Sequence, residues 1–153
     1  VALGAQVSGC DLAPDADWAA RARVDLVSLP ELLARAEVLC LHLSSVGQAP
    51  FRLDDRAIAC MKPGSFVVNV SRGSFVDEPA LCRALKSGHL AGAALDVFSE
   101  EPYRGELCDL DNVILTPHIA TLARESRAAM EIEATRNLLD CLATATTSPA
   151  GRR

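Results

Sequence analysis

Arg72, Asp96, Glu101 and His118 each stand just past a short apolar run, where parallel strands hand side chains to a ligand. Arg72 lies in Asn69-Val70-Ser71-Arg72-Gly73, and its planar fork can hold a carboxylate through two parallel hydrogen bonds. Asp96 and Glu101 lie in Ala94-Leu95-Asp96-Val97-Phe98-Ser99-Glu100-Glu101-Pro102, with Glu100 as the rival to Glu101. His118 closes Leu115-Thr116-Pro117-His118. A histidine beside a carboxylate has its pKa raised and can act as general acid or base near neutral pH. Taken singly, each has an ordinary reading: a loop arginine, a solvated carboxylate, a structural histidine after proline. Three polar groups at three successive strand ends are harder to assign to chance.

Asp11 ends a further apolar run, residues 6–10, soon after Gly4. In a dinucleotide-binding domain the acid at that point accepts hydrogen bonds from the adenosine ribose hydroxyls. A carboxylate there repels a 2′-phosphate and so favours NAD over NADP. An Asp-Leu-Ala-Pro turn explains the same residue equally well.

The elements that must position these groups alternate in type. Strands are predicted over 6–10, 38–43, 65–70, 92–97 and 113–116, and helices over 30–36, 54–61, the segment after Asp77, and 121–142. Ser28-Leu29-Pro30-Glu31 has the form of a capping box with proline in the first turn. Residues 38–43 and 65–70 form near-continuous apolar runs, which predicts strands buried on both faces. Asp77 is a cap for a helix that places Ala80, Leu81, Ala84 and Leu85 on one side, with Gly88 as its stop. This alternation predicts an α/β fold, a doubly wound parallel sheet of Rossmann type. Residues 1–142 are expected to form the domain, with a disordered or frayed tail over 143–153. Val1-Ala2-Leu3-Gly4 reads as the last turn of a helix with its glycine cap. The pairs Gly4/Gly9 and Gly88/Gly92 do not make G-x-G-x-x-G, so the first strand and the phosphate cradle are expected to be missing.

Composition excludes several classes. Hydrophobic residues make up 50% and charged residues 23% of the chain, which fits a globular protein and not a disordered one. Net charge is −5, with no basic run and few aromatic residues, so nucleic-acid binding is not expected. No apolar run approaches the roughly 20 residues of a membrane helix, and no signal peptide is visible. Six cysteines lie far apart, without metal spacing, and most are expected to be buried as small hydrophobes. A reducing, cytoplasmic setting follows from that reading.

The three motifs around Arg72, Asp96–Glu101 and His118, in this order and spacing, strongly resemble the D-isomer-specific 2-hydroxy-acid dehydrogenases. Asp96 stands 24 residues after Arg72, and Glu101 five after Asp96. Leu41-His42-Leu43 and Met61-Lys62-Pro63-Gly64 are similar to further landmarks of that family. The resemblance runs from about Gly4 to Leu138. It implies an NAD-dependent oxidoreductase exchanging a small D-2-hydroxy acid with its 2-oxo acid. Arg72 would clamp the substrate carboxylate, His118 would carry the hydroxyl proton, and Glu101 would orient the imidazole. Asp11, Ser71, Arg72, Asp96 and His118 would contact the cofactor, with Asp96 at the nicotinamide carboxamide. The resemblance also implies a homodimer and leaves lactate-, glycerate-, phosphoglycerate- and glyoxylate-type acids open. The sequence departs from the family at Ser44-Ser45-Val46-Gly47, where a proline-containing stretch is usual, and in the absent glycine loop and substrate domain. These 153 residues alone are therefore expected to fold poorly and to be inactive. A non-catalytic NAD-sensing module, like the corepressors of the same family, is the alternative.

Overall fold

A computed structural model describes residues 4–44 and 51–147, so the expectations for Val1–Leu3, for Ser45-Val46-Gly47 and for the last residues of the tail lie outside the described residues. The chain divides into two compact units, Val1–Pro117 and His118–Arg153.

In the first unit, β1 (Val7–Gly9) and β2 (Val24–Leu26) form a parallel pair joined through α1 (Ala16–Ala22). After α2 (Leu29–Arg35), β3 (Val38–Leu41), β4 (Ser65–Asn69), β5 (Leu90–Leu95) and β6 (Val113–Leu115) form a second parallel sheet in that spatial order. The connections within it carry α3 (Asp55–Ala59), α4 (Glu78–Lys86) and a 3₁₀ turn at Glu106–Asp109. Parallel strands need such crossovers, which is why helical segments alternate with the apolar runs. Among the described residues β1 and β3 share no rung. Parallel strands joined through helical segments are the α/β arrangement that the sequence predicts.

Caps set most helix starts. Asp15, Asp54 and Asp77 each accept a hydrogen bond from a backbone N–H three residues on, at Trp18, Ala57 and Ala80. Gly88 takes φ +74° just past the end of α4, as its predicted role as a stop requires. The capping box at Ser28 does not form. Ser28 makes no side-chain cap bond, and Glu31 instead accepts from Arg35 one turn along at 2.9 Å. An isolated parallel bridge, Leu53 with Val76, ties the segment before α3 to the segment before α4. Leu53 N–H donates to Phe75 O (2.8 Å), and Asp77 N–H donates to Leu53 O (3.0 Å).

The core lies on one face of the four-stranded sheet, where Leu39, Leu41 and Val67 meet Leu81 and Leu85 of α4, with Leu53, Phe75 and Leu107 sealing its edges. The strands over 38–43 and 65–70 are thus not buried on both faces. Val38, Cys40 and Phe66 point the other way and are exposed, because side chains alternate along a strand. The same alternation corrects the expectation for the cysteines. Only Cys82, on the inner side of α4, is buried, while Cys10, Cys40, Cys60, Cys108 and Cys141 are exposed.

The second unit is dominated by α5 (Arg124–Thr147), which starts later than the predicted 121 and continues past 142. Arg127 and Glu131 pair one turn apart along it. Among the described residues no helix is long and apolar enough to cross a membrane.

Leu81 is completely buried at the centre of the α4–sheet contact. Leu81→Ala is expected to lower unfolding free energy by about 2–5 kcal/mol, read as a shift in the urea midpoint with an unchanged slope.

Candidate active site

The register of the larger sheet aligns three strand ends. Asn69 of β4 pairs with Leu95 of β5, and Leu95 pairs with Leu115 of β6, so the residues that follow leave the sheet side by side. Ser71 and Arg72 follow β4, Asp96 follows β5, and Thr116 follows β6. In a parallel sheet this edge collects ligands, since every strand ends its run of backbone pairing there.

The turn after β4 is built around Asn69, whose side chain is sealed from solvent. Its Oδ1 accepts from both the backbone N–H of Ser71 (3.1 Å) and the Ser71 hydroxyl (2.9 Å). Its Nδ2 donates to the carbonyl of Arg72 (2.9 Å). One carboxamide therefore satisfies the groups that would be orphaned where β4 stops, and fixes the backbone from which Arg72 projects. The Arg72 side chain is exposed, and its Nη1 donates to the Ser71 carbonyl at 2.6 Å. The sequence pattern did not single out Asn69. A polar residue at the inward-facing end of an apolar strand was the available signal, because a buried amide there must have partners.

Asp96 is buried with its carboxylate tied to the next strand. Thr116 Oγ1 donates to Asp96 Oδ1 at 2.6 Å, and Asp96 N–H donates to Asn69 O at 3.0 Å. Glu101 lies in the loop beyond, where its Oε1 accepts from Phe98 N–H at 3.1 Å; Glu100 is a solvated neighbour. Phe98 stacks on Tyr103 with ring centroids 4.6 Å apart, and the Tyr103 hydroxyl accepts from Leu107 N–H. Burial pushes the Tyr103 phenol above its ordinary range. Gly73 brings the two loops into contact. A Cβ at that position would overlap the carbonyl of Phe98 and the nitrogen of Ser99.

Asp11 belongs to the smaller sheet. Its Oδ1 accepts from Ala13 N–H at 2.8 Å, the local turn that the sequence allowed. It also lines a concavity with Gly9, Cys10, Pro14, Leu26 and Ser28, with Glu31 on its rim. One Asp11 oxygen closes the local turn, and the residue also borders the hollow. His118 opens the second unit with φ +55°, a left-handed conformation in which non-glycine residues are uncommon and histidine is enriched. Among the described residues no group of three or more His, Cys, Asp or Glu could hold a metal ion.

The family model for the NAD-binding domain of D-isomer specific 2-hydroxyacid dehydrogenases matches residues 1–120. The chain is 42% identical over 117 residues to D-3-phosphoglycerate dehydrogenase of Escherichia coli K12, covering 72% of the chain and 28% of that relative. It is 43% identical over 112 residues to glyoxylate reductase of Pyrococcus furiosus, covering 72% of the chain and 33% of that relative. A solved glyoxylate reductase from Paecilomyes thermophila superposes with a TM-score of 0.82 at 33% identity, over 90% of this chain and 42% of the other. The chain thus spans well under half the length of the relatives it matches.

Asn69→Ala should leave the buried Ser71 donors without their partner and take one of two donors from the Arg72 carbonyl, which also accepts from Phe75 N–H, a loss of about 2–4 kcal/mol in stability. Thermal or urea unfolding measures it; a loss below about 0.5 kcal/mol would mean that water replaces the amide without penalty.

Proposed function

The chain belongs to the D-isomer specific 2-hydroxyacid dehydrogenases as their NAD-binding domain, and from that premise we propose that it serves reversible oxidation of a small D-2-hydroxy acid. The alignment of the β4, β5 and β6 ends, with Asp96 bound to Thr116 across two of them, is the observation that carries the reading.

Arg72 is the carboxylate clamp. Its side chain is exposed at the sheet edge on a backbone that Asn69 holds, so the fork is aimed without a large ordering cost when an acid arrives. His118 takes the hydroxyl proton during oxidation and returns it during reduction, at the ring nitrogen facing the substrate oxygen. The family resemblance assigns Glu101 to orienting the imidazole, and its loop is braced by its own bond to Phe98. Bound NAD supplies the hydride acceptor through its nicotinamide ring. The residues present fit part of that cofactor. The open hollow beside Asp11 suits a ribose diol, and the Asp11 carboxylate on its lining opposes a 2′-phosphate. Asp96 holds the nicotinamide carboxamide, and Ser71 contacts the cofactor beside it. Because the chain spans well under half the length of its relatives, turnover is proposed for the whole protein and not for these residues alone. A cytoplasmic, reducing compartment suits six unpaired cysteines, five of them exposed. Homodimerisation is proposed on the family resemblance.

NADH formation by the whole protein, assayed across a panel of D-2-hydroxy acids, tests this reading. His118→Ala is expected to lower kcat on the order of 10²–10⁴-fold. Arg72→Lys should raise KM for the acid, because an ammonium cannot reproduce the two-pronged contact. Undiminished turnover in His118→Ala would sink the assignment.

A further inference from the structure

Glu78 is the first residue of α4 and is only partly exposed. Its carboxylate crosses to the loop after β5, where Oε1 accepts from the backbone N–H of Ser99 at 2.7 Å. Twenty-one residues separate the two in sequence, so this is a tertiary contact and not a local turn. It lands on a meaningful peptide. The Phe98–Ser99 linkage is the one against which Gly73 packs with no room for a Cβ, and Gly73 directly follows Arg72. On the other side, Phe98 N–H donates to Glu101 Oε1.

The loop carrying Glu101 is therefore gripped at two successive amides by two carboxylates, one from α4 and one from Glu101 itself. The base of that grip is rigid. Asp77, next to Glu78, caps α4 through Ala80 N–H and donates its own N–H to Leu53 O. The Arg72 carbonyl is fixed from the opposite side by Asn69. Glu78 also completes a geometry that Gly73 only permits. Close approach lets the two loops touch, whereas a directional charge-assisted bond sets which peptide of the 98–101 loop sits there.

We infer that Glu78 is a positioning residue: its carboxylate, anchored on Ser99, holds the Glu101 loop in register with the Arg72 loop. The inference deepens the dehydrogenase reading and rests on it for its kinetic consequence, though not for the bond itself. Because Glu78 contacts neither reacting group, its loss should misplace Glu101 without removing it. Misplacement of about 1 Å in a catalytic set can cost 10²-fold in rate.

The experiment compares Glu78→Ala and Glu78→Gln in the whole protein by amide hydrogen exchange at Phe98 and Ser99 and by steady-state kinetics per folded molecule. Glu78→Ala should lose protection at Ser99 and drop kcat on the order of 10- to 100-fold, with KM for NAD essentially held. Glu78→Gln retains an oxygen acceptor at the same reach and should restore both. Ser99 protection unchanged in Glu78→Ala overturns the clamp, as does an unchanged kcat in a variant whose Ser99 has become unprotected. If the wild-type protein turns over no 2-hydroxy acid with NAD, the dehydrogenase reading fails separately, and Ser99 exchange alone decides the clamp.

Discussion

A parallel strand that stops inside a folded protein leaves backbone donors and acceptors that must find partners, and β4 meets this constraint with a single buried side chain. Asn69 takes two donors from Ser71 and gives one to Arg72. Because the buried Ser71 donors would otherwise lack a partner, and the Arg72 carbonyl would keep only Phe75 N–H, the amide favours this turn geometry. The consequences spread outward. Arg72 leaves the sheet in a fixed direction, Gly73 arrives against the Phe98–Ser99 peptide, and the loop bearing Glu101 is placed relative to both. Asn69 also accepts, through its own carbonyl, from Asp96 N–H, so the start of the next segment is tied to the same residue.

Charge is distributed unevenly along this edge, which bears on the proposed acid substrate. The exposed guanidinium is the cation of the edge, while Asp96 is withdrawn into the protein and committed to Thr116. A carboxylate so held presents itself as a directed acceptor and not as a diffuse negative field, which would repel an acid. Ion pairs elsewhere play a smaller part. Arg83 with Asp55 and Lys86 with Glu106 are exposed pairs that fasten α4 to its neighbours, where solvent and salt weaken them.

Where many cues agree, the residues announce the fold. The strands at Val38, Ser65 and Val113 stood out because each is an apolar run bounded by turn residues, the one predicted over 92–97 runs two residues earlier as Leu90–Leu95, and α4 stood out because Asp77, its apolar stripe and Gly88 point the same way. What escaped was marginal in the same physical terms. In α1 only Ala19 is buried, and β2 is three residues without a fully buried member, so neither leaves a periodic trace. Ser28 and Glu31 have the spacing of a capping box, but Arg35 offers Glu31 a charged partner that a neutral backbone amide does not match. The position of Arg72, Asp96 and Glu101 beyond neighbouring strand ends was legible, because ionisable groups just past apolar runs are conspicuous. Asn69 and Glu78 were not. Their work depends on which loops meet in space, and Asn69–Arg72 or Glu78–Ser99 carries no signature until the sheet is assembled.

The account rests on the edge after β4, β5 and β6 being where cofactor and acid meet. The most direct measurement is a crystal structure of the whole protein with NAD and a 2-oxo acid. The account predicts the acid's carboxylate paired with the Arg72 guanidinium, its oxo group toward His118, and the carboxamide of the nicotinamide on Asp96. An acid or a nicotinamide bound away from that edge, with Arg72 still folded on the Ser71 carbonyl, would contradict it.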